Sequence, residues 1–153
     1  MSKQRIKRLQ FILEMEQQKE QQDLKVWGQY QQQLAQEKNK VTELQGYLGE
    51  YQQGLTSNAG NQSGGAHISG GQVQNIISFI DQLKSAIDQQ NMQLNLIQQQ
   101  VDNARIVYLK SRAKVEALQK LIGKRQDQIS AAEEKQLQKL MDEAAGRMFR
   151  QNS

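Results

Sequence analysis

The chain has 153 residues and a formal charge of +4, with only 37% hydrophobic residues, no proline and no cysteine. Its mean hydropathy is −0.81 and its pI about 9.3. Disulfide and thiolate chemistry are excluded, and apolar side chains are too few for an ordinary compact core. Long helices that each bury one narrow stripe need fewer, and without proline the strongest helix breaker is missing.

The N-terminal segment carries Lys3, Arg5, Lys7 and Arg8 but neither a long apolar run nor a small-residue cleavage site, so no secretory signal is expected. No stretch approaches the roughly 20 apolar residues that cross a bilayer. A soluble cytoplasmic protein is the default expectation.

The first predicted helix runs over residues 3–55. With Ile6 as position a of a heptad, the a row is Ile6, Leu13, Glu20, Trp27, Leu34, Val41, Leu48 and Leu55. The d row is weaker: Leu9, Glu16, Asp23, Tyr30, Glu37, Leu44 and Tyr51. A seven-residue repeat sustained this long is the mark of a helix packing along a seam.

Residues 56–71, TSNAGNQSGGAHISGG, read as a flexible turn rich in glycine and serine. Ser69 and Gln72 have capping-box spacing for the start of a second helix, predicted over 72–150. Its a row is Val73, Ile80, Ile87, Leu94, Val101, Tyr108, Val115, Ile122 and Ile129. Its d row, Ile76, Leu83, Ile97, Ala104, Leu118 and Ala132, is broken by Gln90, Ser111 and Arg125. After Ile129 the phase slips, and Leu137, Leu140, Met141, Ala144, Ala145 and Met148 form a separate stripe that calls for a different neighbour.

These elements predict an all-α fold, a long two-helix antiparallel coiled-coil hairpin forming a single domain over 1–153. At about 1.5 Å per residue the first helix spans roughly 80 Å and the second roughly 115 Å, so the second helix overhangs at its C-terminal end. Setting Leu55 beside Val73 brings Glu16 and Asp23 near Arg112 and Arg105, and Glu20 near Tyr108 and Ser111. Opposite charges would then face each other where the apolar seam is interrupted, fixing register. The other reading is that these carboxylates reach out to water.

Catalytic and cofactor chemistry has no foothold. His67, the single histidine, sits in the turn. No Cys/His or His/carboxylate cluster has metal-ligand spacing, and GNQSGGAH lacks the Lys-Ser/Thr pair of a P-loop. Glu133 and Glu134 are adjacent and so point to different sides of a helix. No enzyme, metal or cofactor is expected.

Two surface features are left. Residues 105–125 carry Arg105, Lys110, Arg112, Lys114, Lys120, Lys124 and Arg125 against Glu116 alone. Aromatic interleaving is absent, which argues against nucleic acid and leaves a solvated flank or an acidic protein partner. Near the turn, Tyr47, Phe79 and Ala86 occupy g positions beside Leu44, Tyr51 and Leu83. That is more apolar surface than a seam needs, and such surface marks a partner site.

YLGEYQQGL (47–55), a polar turn and FIDQLKSAI (79–87) resemble the core of the flagellar export protein family FliJ. The tail AEEKQLQKLMDEAAGRM (132–148) is similar to that family's charged terminal segment, with Asp142, Glu143, Ala145 and Arg147 in a slightly displaced spelling. The resemblance implies a non-enzymatic cytoplasmic component of the flagellar type III export apparatus, with a fold similar to the coiled-coil stalk of rotary ATPase gamma subunits. Implied partners are a hexameric export ATPase like FliI, the cytoplasmic domain of an export gate protein like FlhA, and export chaperones.

The implied location is the cytoplasmic face of the inner membrane, peripherally and without insertion. The family's gate-binding patch corresponds to Leu44, Tyr47, Tyr51, Phe79, Leu83 and Ala86. A histidine often found at its end is Gln90 here, and the glycine-rich turn is longer than in shorter family examples. An ATPase-ring contact is expected at Lys3, Arg5, Lys7, Arg8, Lys120, Lys124 and Arg125, where two basic segments approach each other. The competing readings are the stalk protein of a virulence secretion system, a generic coiled-coil scaffold and a nucleic-acid binder.

Overall fold

The computed structural model describes residues 2–60 and 70–152, with side chains from 3–56 and 70–152. The fold is all-α, two long helices packed against each other: α1, Ser2–Gly60, and α2, Gly70–Gln151. Both reach further into the Gly/Ser segment than its composition predicts. Extending an existing helix adds one hydrogen bond per residue fixed, so propagation tolerates residues that could not nucleate one. Thr56, at the start of that segment, donates from its hydroxyl back to the Gln52 carbonyl at 3.0 Å. The remainder of the expected turn, with His67 and the Ser69 half of the capping box, lies outside the described residues.

The chain divides into two compact units, each built from a stretch of both helices: Lys25–Ile106, and Met1–Leu24 with Val107–Ser153. In the first of these, Leu34, Ile97 and Val101 form the buried cluster, with Trp27, Tyr30 and Leu94 packed against it. All six are a or d residues. Ile97, only 1% exposed, is its most enclosed member. In the unit containing the chain ends, Ile6, Tyr108, Ser111, Val115 and Ile122 are buried, again all at a or d.

The helices run antiparallel within each unit. Glu37 accepts a hydrogen bond from Gln90 in one, and Asp23 accepts one from the Ser111 hydroxyl in the other. These contacts correct the expected register. Asp23 meets Ser111 rather than Arg105. Arg112 turns to its own helix, to Glu116 at 3.2 Å and the Tyr108 hydroxyl at 3.5 Å, instead of reaching Glu16. One Glu16 carboxylate oxygen is buried without a hydrogen-bond partner.

Setting Leu55 beside Val73 put an a residue against an a residue. Reversing one helix also reverses its alternation of three- and four-residue steps, so an a row fits a d row, as Leu34 and Ile97 do. Asp23 and Glu37, themselves at d, reach past the a residues they oppose to the neighbouring polar d residues Ser111 and Gln90 of α2, and not to its flanking arginines.

Residues 131–145 are exposed at every side chain. Lys3, next to the first residue of α1, pairs with Glu133 at 3.4 Å. The rest of α2 thus continues past the start of α1, as the overhanging C-terminal helix predicted from the sequence.

Two outcomes follow from this packing. Ile97→Ala should destabilise the protein by about 2–5 kcal/mol, the range for truncating a buried aliphatic side chain, read as a lower thermal midpoint by circular dichroism. An equivalent truncation of exposed Met92 should leave the midpoint nearly unchanged. The second outcome concerns pH. Hydrogen bonds from Lys40 and then Gln90 hold the Glu37 pKa below its usual value. A carboxylate with a depressed folded pKa stabilises above its unfolded pKa and loses that contribution as pH falls through the folded one. Acid unfolding should accordingly lose part of its pH dependence in Glu37→Gln, and an unchanged acid limb would exclude this role.

Candidate functional site

In a two-helix seam the b, c, e, f and g positions have no neighbour to cover them, so large apolar residues there stand out. In the unit Lys25–Ile106, Tyr47 lies one helical turn before Tyr51 on α1, while Phe79, Leu83 and Ala86 follow one another along α2. Tyr47 is 52% exposed, Tyr51 42% and Phe79 40%. The rings of Tyr51 and Phe79 meet with centroids 4.8 Å apart at 60°, a tilted geometry that favours the edge of one π-system over the face of the other. Leu83 is buried, and Leu44 and Ala86 are half-buried.

The structure thus divides the sequence-predicted patch. Tyr47, Tyr51 and Phe79 present aromatic surface, while Leu83 belongs to the seam that holds them. Tyr51, although at a d position, stays exposed, with its ring tilted against that of Phe79. Gln90 is half-buried and occupied by Glu37, so it acts as a seam residue and not as an extension of the patch.

Sequence reasoning missed a shallow groove beside the aromatics, lined by Glu50, Tyr51, Gly54, Leu55 and Ile76. A Cβ added at Gly54 would meet nothing within 4 Å. Packing within the chain therefore does not require glycine there, and glycine leaves the helix backbone bare at the groove. The signal was a helix-weakening glycine three residues after the aromatic seam residue Tyr51.

The predicted cationic set lies in the other unit. Arg5, Lys7, Arg8, Lys120 and Lys124 are exposed, and Lys3 is exposed while paired with Glu133. Arg125 differs. It occupies a d position and is half-buried, and its Nε is shielded without a hydrogen-bond partner. Lys7 and Arg8 line a shallow groove with Gln4, Phe11 and Ile12. Phe11 is 64% exposed and Met15 55%, at f and c positions that should be polar. The a and d rows, and the flanking g positions near the turn, were the sequence signals followed, and none of them singled out this apolar cluster among the cations.

Among the described residues no group of three or more His, Cys, Asp or Glu side chains could hold a metal ion. Nor is any helix long and apolar enough to cross a membrane. What the surface offers is exposed aromatic area in one unit and exposed positive charge with apolar side chains in the other. Both are chemistries of protein recognition.

No curated protein and no solved structure matches the chain. The family described as Flagellar FliJ protein matches residues 5–153. That match takes in the seam, the aromatic patch, the cations and the tail, so the chain belongs to the flagellar FliJ protein family, whose coiled-coil members are associated with flagellar type III export.

Proposed function

We propose that the chain is a stalk-like, non-enzymatic component of the flagellar export apparatus. It promotes assembly and activity of the hexameric export ATPase, connects that ring to the cytoplasmic domain of the export gate protein, and handles export chaperones at the cytoplasmic face of the inner membrane. Family membership supports the setting. The observation that carries the gate contact is the exposed trio of Tyr47, Tyr51 and Phe79, large rings on a surface where the coiled coil itself needs none. The ring contact is proposed at Lys3, Arg5, Lys7, Arg8, Lys120 and Lys124, all exposed, with the overhanging tail contributing. Arg125 contributes from the seam, where its stem packs and only part of its guanidinium is accessible.

Tyr47 and Phe79 separate binding from folding better than Tyr51 and Leu83 do, because both sit at g positions. Truncating an anchoring aromatic at an interface costs on the order of 2 kcal/mol or more, about thirtyfold in affinity. Tyr47→Ala with Phe79→Ala should keep nearly full helicity and still stimulate the ATPase, but lose gate binding and motility. Wild-type affinity for the gate protein in that double variant would refute the patch assignment, and unfolding would make the rings structural.

Charge reversal at Lys7, Arg8, Lys120 and Lys124 should weaken ATPase binding and stimulation while leaving the thermal midpoint almost unchanged, since exposed charges contribute little to folding. Stimulation at the wild-type level would exclude the cationic contact. A nucleic-acid role predicts instead that the same reversal abolishes a salt-dependent affinity for random DNA.

A further inference from the structure

The overhang of α2 is a helix whose apolar stripe is exposed, uncovered by any other described residue of its own chain. Leu137 is 59% exposed, Leu140 57%, Met141 64% and Met148 67%. The phase slip after Ile129 turns this stripe away from the face that α1 covers, so a neighbour lying along it would not displace α1.

The charges beside the stripe indicate which neighbour fits. Glu133, Leu140 and Arg147 recur at heptad spacing and line one flank. About a two-fold axis through Leu140 this flank is its own complement. An antiparallel second helix of the same sequence puts Leu140 beside Leu140 and Leu137 against Met141. It also puts Glu133 beside Arg147 at both ends. On the other flank Glu134 comes level with Gly146, so no like charges oppose each other. Glu133 remains accessible while paired with Lys3, its side chain being 63% exposed. A parallel pairing has none of these ion pairs.

We propose that residues 133–148 are a self-association surface, whose occupant is the same segment of a second copy of this chain packed antiparallel. The apolar contact is confined to one short stretch of a single helix, whereas a standard interface buries roughly 800 Å² per partner. The dimer is therefore weak and concentration-dependent. It uses the tail that the proposed ring contact also uses, so the two occupants compete.

Sedimentation equilibrium of the full chain over a wide concentration range tests this. The average mass should rise from 17.5 kDa towards twice that value as concentration increases. Leu140→Lys places two cations on the axis, and Arg147→Glu and Glu133→Arg each place two like-charged pairs at the ends. Each variant should weaken association about tenfold or more. The decisive arm mixes the two charge variants. Glu133→Arg chains and Arg147→Glu chains, each monomeric alone, should associate with one another, because every end pair is then Arg against Glu. Circular dichroism should show equal helicity in all variants.

A wild-type chain that stays at 17.5 kDa at every concentration would overturn the proposal. So would association that persists in Leu140→Lys, or a mixture of the two charge variants that does not associate. Capture of the tail by the ATPase without any self-association would assign the stripe to the ring instead.

Discussion

Everything in this chain depends on one narrow seam. With few apolar side chains and no third layer, nearly all burial falls on the a and d rows, and those rows supply every buried hydrophobic residue of the described structure. A seam of this kind is a series of local contacts. Leu34 and Ile97 support Trp27 and Val101 beside them, but no single cluster carries the whole chain. Stability is then distributed along the helices, and segments can open separately. A further consequence is that the rest of the surface is free of folding duties. Aromatic, cationic and aliphatic residues outside the seam can be arranged for partners with little effect on the core.

The seam is not uniformly apolar, and its interruptions carry specific information. Glu37 with Gln90 and Asp23 with Ser111 are polar contacts between half-buried or buried side chains. A displacement of one heptad would leave these carboxylates facing aliphatic residues, with the desolvation cost of an unmade hydrogen bond. Such contacts contribute less to stability than well-packed hydrophobic layers would, but they discriminate against wrong registers. Glu16, with one shielded oxygen lacking a partner, shows the cost of the device where no complement is supplied.

The periodicity made most of the fold legible before any coordinates. Ile6 to Leu55 and Val73 to Ile129 define the helices and the faces that meet, because a buried row at a fixed spacing leaves the same trace in sequence as in structure. Register was not legible from the same rows. Aligning a with a or a with d satisfies the hydrophobic pattern about equally well, and only the reversal of step order in an antiparallel partner decides between them. The patch was partly legible: Tyr47 and Phe79 stand out at g positions, whereas the exposure of Tyr51 contradicts its d position. Phe11 and Met15, at f and c, were invisible to the heptad pattern, which assigns those positions to solvent whatever residue occupies them.

The tail shows why phase carries as much information as hydrophobicity. Had the heptads of α2 continued unbroken beyond Ile129, the stripe would remain on the α1 face, and a longer α1 could have covered it. The slip instead rotates Leu137, Leu140, Met141 and Met148 to another face beyond the start of α1, which the Lys3–Glu133 pair marks. A helix that exposes four large aliphatic side chains carries an aggregation cost. In this chain the cost is moderated by charge, since Glu133, Glu134, Lys135, Lys139, Asp142, Glu143 and Arg147 surround the stripe with both signs. That pattern keeps the stripe soluble against indiscriminate contact while accepting a helix whose charges complement it. A segment built this way is selective, and the order of its charges, more than its apolar area, decides what it binds.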